Sequence, residues 1–127
     1  MKHNFKNLNI WKLSRELVKE IYLITKKFPA DERFGLTSQI RRCAVSIPSN
    51  IAEGCGRGTD RQLAHFLDIS VGSSCELESH LYLCFDLDYI NETDLENFTS
   101  KVVSIRRMTL RFQARYKSNL LEERGGK

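Results

Sequence analysis

The chain has 127 residues, of which 41% are hydrophobic and 28% are charged, a balance that fits one folded domain over residues 1–127 and argues against disorder. No apolar run approaches the roughly 20 residues of a membrane-spanning helix, and the charged N-terminal stretch lacks the apolar centre of a secretory signal. We therefore expect a cytoplasmic protein with no membrane partner.

Charge is unevenly distributed around the formal net charge of +4. Segments 1–28 and 91–127 carry an excess of lysine and arginine, whereas segment 59–90 carries an excess of aspartate and glutamate. Such asymmetry predicts either pairing between segments of the chain or a basic surface for an acidic partner.

The first periodic pattern predicts a helix over residues 9–28. Apolar side chains recur there at steps of three and four, at Ile10, Leu13, Leu17, Ile21, Ile24 and Phe28. This spacing places them on one helical face, which we expect to face the core. Asn9 is the expected N-cap, and Pro29 is the expected stop.

A second helical pattern covers residues 34–55. Its apolar positions are Leu36, Ile40, Cys43 or Ala44, Ile47 and Ile51. Pro48 lies inside the pattern, and because a mid-helix proline removes one backbone hydrogen bond, we expect it to kink the helix. Short polar side chains beside it are expected to satisfy backbone groups near the kink. They are Ser46, Ser49 and Asn50.

The third pattern covers residues 60–88, with Thr59 or Asp60 as the expected cap. One face consists of Leu63, Phe66, Leu67, Ser70, Ser74, Leu77, Leu81 and Cys84 or Phe85. The middle of this face, residues 70–74, is small and polar. It predicts a close helix crossing or a contact between subunits, with a ligand niche between helices as the alternative.

The fourth pattern, over residues 94–118, has the most regular spacing. Its apolar positions form a heptad seam: Leu95, Phe98, Val102, Ile105, Thr109, Phe112 and Tyr116. Thr93 or Asp94 is the expected cap. Because no segment alternates with the period of a strand, the sequence predicts an all-α, antiparallel up-down-up-down four-helix bundle.

The segment "SIPSNIAEGCGRGTD" joins the second and third patterns and raises the question of a phosphate-binding loop. The P-loop pattern is absent because no lysine follows the glycines, and a dinucleotide fingerprint would need a preceding strand. The glycines are instead expected to end the second helix through left-handed C-cap geometry. Glu53, at the negative end of that helix, is expected to pair with Arg57 or Arg42.

Neither a catalytic constellation nor a metal or cofactor site is predicted. The four cysteines lack any C-x2-C pair and are expected to be reduced thiols that pack as small apolar residues. They are Cys43, Cys55, Cys75 and Cys84. Glu76 and His80 share a helical face, but a di-iron bundle needs Glu-x-x-His pairs, which the chain lacks. We therefore do not expect an enzyme.

Two helices carry rows of basic side chains that suit the phosphates of nucleic acids. The candidate residues are Lys12, Arg15 and Lys19 on the first helix, with Arg106, Arg107, Arg111 and Arg115 on the fourth. Like charges at helical spacing repel, so such rows need acidic residues opposite them or an anionic partner. The alternative is a solvated face paired with acids of the third helix, namely Asp68, Glu76, Glu78 and Asp86.

Two stretches make the chain similar to a known family. "QIRRCAVSIPSNIAEGCGRGT" and "FLDISVGSSCELESHL" closely resemble the four-helix-bundle proteins encoded in intervening sequences of bacterial 23S ribosomal RNA genes. The resemblance covers about Phe5 to Phe112, with a departure at Ser70, where family members often have alanine. It implies a ring-shaped homopentamer and no established enzymatic activity. An accessory protein of diversity-generating retroelements, similar in fold, associates with nucleic acid, which makes RNA or DNA the natural partner to expect.

The resemblance also marks a set of residues on the second helix and the turn after it, called here the motif surface. Its members are Gln39, Arg41, Arg42, Ser46, Pro48, Asn50, Glu53, Gly54 and Arg57. Two hypotheses follow: an oligomer that binds nucleic acid through the basic rows, or a structural module that contacts other proteins. In the second hypothesis the motif surface builds the contacts between subunits.

Overall fold

The structure, a computed structural model, describes the backbone of residues 3–125 and the side chains of residues 3–117. Four helices fill most of this range: α1 at Asn9–Thr25, α2 at Leu36–Cys55, α3 at Asp60–Asp86 and α4 at Glu92–Gly125. Short 3-10 helices lie at Phe5–Asn7 and Ala30–Glu32. No strand occurs between residues 3 and 125, which confirms the predicted all-α class.

The first helix ends before the predicted residue 28. The Thr25 hydroxyl donates to the Ile21 carbonyl at 2.7 Å in the last turn, and the chain then leaves the helix ahead of Pro29 because the residue before a proline disfavours helical angles. The N-cap is Leu8, whose side chain makes no capping hydrogen bond. The prediction of Asn9 as the cap is wrong, since Asn9 is the first helical residue.

The third and fourth helices both start at capping side chains. Thr59 caps α3, as predicted, by accepting the backbone N–H of Gln62 at 3.1 Å. The side chain of Asn91 accepts the backbone N–H of Asp94 at 2.7 Å, so α4 starts earlier than expected. Asparagine is among the most favourable N-caps, and Asn91 replaces the predicted caps Thr93 and Asp94.

One apolar core lies between the helices, which pack α1 against α2, α2 against α3, α3 against α4 and α1 against α4. These contacts are those of a helix bundle. The α4 stripe follows its prediction most closely, because Phe112 is half-buried and every other predicted member is buried. The buried members are Leu95, Phe98, Val102, Ile105, Thr109 and Tyr116.

The α1 stripe departs from its prediction near the start of the helix. Leu13 is 41% exposed, and Ser14 is buried in its place. The Ser14 hydroxyl donates to the Trp11 carbonyl at 3.0 Å, so its polar group is satisfied within the helix and can be buried. A stripe traced through apolar residues alone therefore misses this position.

Gly54 lies inside α2 at the point where α3 comes close. A Cβ at this position would lie 3.1 Å from Leu63 Cδ1, 3.1 Å from Phe66 Cβ and 3.3 Å from the Leu63 carbonyl oxygen. These distances are shorter than the optimal carbon–carbon separation of about 3.5–4.0 Å. Glycine at this position therefore permits the close approach of the two helices.

Hydroxyl groups hold the same two helices together. Ser70 donates to the Ile47 carbonyl at 3.0 Å, and the hydroxyl oxygens of Ser46 and Ser73 lie 2.7 Å apart. Contact positions rise along α2 as they fall along α3, so these two helices run antiparallel. The close crossing expected from the small, polar stretch 70–74 is confirmed.

Left-handed backbone geometry ends α3 rather than α2. Asp88 has a φ of 62°, and the N–H groups of Asp88 and Tyr89 donate to the carbonyls of Phe85 and Cys84 at 3.0 and 2.8 Å, the pattern of a Schellman motif. No glycine in the described backbone has a positive φ, and Gly56 ends α2 at −82°. The predicted left-handed glycine cap is wrong.

Glu32 joins two connections at one end of the bundle. One carboxylate oxygen accepts the backbone N–H of Leu36 at 3.2 Å, at the start of α2. The other accepts the hydroxyl of Tyr89 at 2.8 Å, just after α3. This hydrogen bond raises the pKa of the Tyr89 phenol, because it stabilises the protonated form.

Pro48 lies within α2, which the structure carries without a break from Leu36 to Cys55. The predicted kink stays a prediction. The Asn50 side chain, expected to serve a backbone group beside the proline, donates to the Ser46 carbonyl at 2.8 Å.

None of the helices in the described part of the chain combines the length and the apolar character that spanning a membrane requires.

The close approach at Gly54 can be tested with a single methyl group. Gly54→Ala places a Cβ against Leu63 and Phe66, and overpacking of this kind costs about 1–3 kcal/mol. The helix propensity of alanine returns about 1 kcal/mol. We expect a net loss of up to about 2 kcal/mol in the free energy of unfolding, measured by urea denaturation.

Gly72→Ala is the matched control, because Gly72 also lies inside a helix but a Cβ there meets nothing within 4 Å. It is expected to stabilise the protein by roughly 0.5–1 kcal/mol. Equal gains in stability for both variants would contradict the constraint at Gly54.

Candidate functional site

The predicted basic residues of α1 lie together on its outer face. Lys12, Arg15 and Lys19 are exposed, and with Lys6 and Trp11 they line a shallow groove of about 540 Å³. The Arg15 guanidinium lies 5.4 Å from the centre of the Trp11 ring. The sequence reasoning placed the three cations of this α1 row but missed the lysine and the tryptophan beside them.

The acidic side chain that shares this groove is Glu16. Within the described side chains it forms no ion pair with Lys12, Arg15 or Lys19, so the α1 row keeps its positive charge exposed to solvent. Cations held close together on one face raise the local concentration of anions.

The outer face of α4 carries a second row. Arg107, Arg111 and Arg115 are exposed on successive turns, and the ion pairs among residues 3–117 leave all three without a carboxylate partner. Arg107 and Arg111 line a groove of about 650 Å³, together with Tyr82 and Glu96. These three arginines are called the α4 row below.

Arg106 is separate from the α4 row because it points toward α3. Its Nη1 donates to Glu78 Oε1 at 2.8 Å, and its Nη2 contacts the same oxygen. The Arg106 side chain is 18% exposed, so this pair braces α3 against α4. Arg106 was predicted to bind nucleic acid, which stays a prediction, and in this arrangement its charge is paired with Glu78.

Other acids of the bundle are also paired within the chain. Lys101 of α4 lies 2.5 Å from Glu20 of α1, and Lys117 lies 3.3 Å from Asp68 of α3. Pairing with the acidic third helix was the alternative to a free basic face. It occurs at Arg106 and Lys117 of α4, and it leaves the α4 row exposed.

Gln113 is a buried polar residue that sequence reasoning missed. Its Nε2 donates to the carbonyl of Ala64 at 2.9 Å and also contacts the carboxylate of Asp68. It follows Phe112 of the predicted seam, and both of its contacts are with α3. A polar residue beside a heptad seam was the only available signal.

Several residues of the motif surface make contacts inside the chain. Arg41 Nε donates to the Thr25 hydroxyl at 2.8 Å, and its guanidinium lies 4.6 Å from the Tyr22 ring centre. A cation at the end of a helix is stabilised by the helix dipole, so Arg41 fastens α2 to the C-terminal end of α1.

Glu53 forms the ion pair that its position required. Arg57 Nη2 lies 2.6 Å from Glu53 Oε1, and the same guanidinium lies 4.9 Å from the Phe66 ring centre. Of the two predicted partners, Arg57 is confirmed. Arg42 is exposed and forms no ion pair inside residues 3–117. Gln39 is exposed as well.

The remaining motif residues are Ser46, Pro48, Asn50 and Gly54. Asn50 Nδ2 donates to the Ser46 hydroxyl at 2.9 Å. Pro48 lines a groove of about 380 Å³ between α1 and α2 with Trp11. The motif therefore maintains helix packing over most of its length and leaves Gln39 and Arg42 exposed.

Three potential metal ligands meet between α2 and α3. Cys43 Sγ, a Glu76 carboxylate oxygen and an imidazole nitrogen of His80 all lie within 4.8 Å of one another. Burial, followed by the hydrogen bond to the Glu76 carboxylate, raises the pKa of the Cys43 thiol to about 12. Sequence reasoning saw Glu76 and His80 on one helix but could not place a cysteine of another helix beside them.

The other cysteines differ in exposure. Burial raises the pKa of Cys84 to about 12, and burial also raises the pKa of Cys55. A thiol with a raised pKa is a poor nucleophile, because the thiolate is the reactive form. All four cysteines are free, as expected, but Cys75 is exposed, so the expectation that each packs as a small apolar residue is wrong for Cys75.

Comparisons with known proteins agree with this architecture. The family model described as 23S rRNA-intervening sequence protein matches residues 6–111. Among solved structures, a protein of unknown function from the S23 ribosomal protein family of Bacteroides thetaiotaomicron is similar, with a TM-score of 0.75 at 22% sequence identity. The match covers 82% of this chain and 97% of that chain. The curated proteins contain no match to the sequence.

The different environments of Arg106 and Arg107 generate a prediction about stability. Arg106→Gln removes a largely buried, charge-assisted contact with Glu78, so we expect the free energy of unfolding to fall by about 1–3 kcal/mol. Arg107→Gln, at an exposed neighbour, should change it by less than about 0.5 kcal/mol. Urea denaturation measures both.

A double-mutant cycle separates the ion pair from packing. If Glu78→Gln destabilises the protein equally in the presence and in the absence of Arg106, the two side chains are uncoupled and the bracing role is wrong.

Proposed function

The chain belongs to the family of 23S rRNA-intervening sequence proteins, and from this premise we propose that it is a non-enzymatic, oligomeric, cytoplasmic protein that binds RNA or DNA. The proposed contacts are the α1 row and the α4 row. The observation that carries the proposal is the exposure of these six cations on neighbouring helices without intrachain carboxylate partners among residues 3–117.

The energetics of the two rows support an anionic partner. Like charges three or four positions apart on a helix destabilise it by a few tenths of a kcal/mol per pair. The acids of α3 could have relieved this repulsion, but Glu78 and Asp68 pair with Arg106 and Lys117 instead. Phosphate groups would relieve it and release counterions, which favours binding at low salt.

The expected binding has little sequence preference. Lysine and arginine on an outer helix face contact phosphates, which fix position but carry no base information. The α1 groove adds Trp11, an aromatic side chain of the kind on which unpaired bases stack. We therefore propose that single strands bind at least as well as duplexes.

The proposal of a homopentamer rests on the resemblance to the family. Large apolar side chains that are exposed in the single chain support self-association, because a second copy could cover them. Phe34 is 87% exposed, and Leu23 and Leu87 are about half exposed. In the alternative function, the oligomer is a structural module that contacts other proteins through the motif surface and binds no nucleic acid.

Removing the basic rows tests the nucleic-acid proposal. The change is a triple substitution of the α4 row to glutamine, and separately of the α1 row. Each should weaken binding of a labelled single-stranded RNA, and should lower the slope of log affinity against log salt by about 2–3. Fluorescence anisotropy over a series of salt concentrations measures the slope.

The matched control replaces three exposed cations outside both rows, namely Lys26, Arg33 and Arg61. It removes the same charge and should leave the slope nearly unchanged. An equal loss in the control would reduce the effect to net charge. A wild-type protein that fails to bind RNA and DNA at low salt would favour the alternative function.

Oligomeric state is tested by mass. Light scattering after size exclusion should give the mass of a pentamer of the 14.7 kDa chain. Arg42→Glu, which reverses an exposed charge of the motif surface, should lower this mass, whereas Arg61→Glu should not. A wild-type chain that is monomeric at all concentrations would end the oligomer proposal.

A further inference from the structure

The side chains of Cys43, Glu76 and His80 form a compact group of three different metal-ligand types. Cys43 is buried on α2, while Glu76 and His80 lie one turn apart on α3. Cys43 Sγ lies 2.9 Å from Glu76 Oε2, and His80 Nε2 lies 3.8 Å from the same oxygen. The rigid crossing of α2 and α3 sets these positions.

The spacing suits a tetrahedral ion. Zinc binds sulfur at about 2.3 Å and nitrogen or oxygen at about 2.0–2.2 Å, which places neighbouring ligand atoms about 3.4–3.6 Å apart. The sulfur–oxygen distance of 2.9 Å would have to open by about 0.7 Å, and the nitrogen–oxygen distance of 3.8 Å would have to close slightly. Side-chain rotations achieve shifts of this size without moving the helices.

His80 supplies an independent observation. Its Nδ1 is buried and has no hydrogen-bond partner, and the 3.8 Å between its Nε2 and Glu76 Oε2 is too long for a hydrogen bond. An unsatisfied polar atom of this kind is rare in a folded protein and often marks an ion or a water. Neither nitrogen of His80 thus has a hydrogen-bond partner among the described side chains; a cation bound at Nε2, the nitrogen that faces Glu76, would give the ring one partner and would leave Nδ1 to carry the proton.

We propose that Cys43, Glu76 and His80 bind Zn²⁺. A mixed sulfur, nitrogen and oxygen set suits this borderline-soft ion better than magnesium or calcium, which prefer oxygen alone. Thiolate and carboxylate together neutralise its two charges, and the proton of the thiol leaves to solvent on binding. Three protein ligands leave a fourth position for water or for a group of a partner.

Cobalt is the probe, because Co²⁺ occupies zinc sites and reports its ligands in its spectrum. The purified full chain, stripped with chelator and reduced, should bind one Co²⁺ per chain. A thiolate-to-cobalt charge-transfer band in the near ultraviolet should appear, and Zn²⁺ should abolish it by displacement. The absence of this band in the wild-type protein would overturn the proposal.

Two variants and a control assign the ligands. Cys43→Ser should abolish the band, and His80→Gln should weaken Co²⁺ affinity by roughly tenfold or more, by analogy with the loss seen when metal-site partners are removed. Cys75→Ser removes an exposed thiol from α3, the helix that carries His80, and should leave the band and the Co²⁺ affinity unchanged. Circular dichroism verifies that each variant folds. If Cys43→Ser unfolds, the His80→Gln variant still decides the test, because His80 is less buried than Cys43 and its replacement perturbs the core less.

Persistence of the band in Cys43→Ser would overturn the site, as would its loss in Cys75→Ser. Unchanged affinity in His80→Gln would show that His80 is not a ligand and would overturn the three-residue site. None of these outcomes depends on whether the protein binds nucleic acid.

Discussion

The close packing of α2 against α3 is the constraint on which the rest of the structure depends. Gly54 removes the side chain that would separate the two helices, and Ser70 bonds the Ile47 carbonyl where they cross. The same approach brings Cys43 of α2 to Glu76 of α3. The glycine-rich segment after Pro48 resembles a loop in the sequence, but its Gly54 lies within α2. The main effect of this glycine is to let α3 pack closely against α2.

The distribution of charge follows from the same bundle. Acids on α3 and α1 pair with cations of α4, as Glu78 does with Arg106 and Glu20 with Lys101. Pairs of this kind stabilise specific helix contacts, and they leave the outermost arginines without partners. A basic surface thus arises in a chain with a modest net charge, because Glu78, Glu20 and Asp68 are paired with other cations.

Helical periodicity predicted most of this fold, since the α4 seam is regular and its members are buried. It failed where polar groups satisfy themselves locally, as Ser14 does by bonding the Trp11 carbonyl, and where a cap lies outside the apolar pattern, as at Asn91. Arg106 is paired with Glu78 whereas Arg107 is exposed, because adjacent residues of a helix point in different directions. The sequence pattern did not separate the two. Groups formed across two helices, such as Cys43 with Glu76, have no signature in linear spacing.

Glu32 has a consequence for how the molecule comes apart. One carboxylate serves both the start of α2 and the tyrosine that follows α3, so the two helical hairpins share a fastening at that end. A local opening that displaces the Glu32 carboxylate removes both hydrogen bonds, so it loosens the start of α2 and the segment after α3 together.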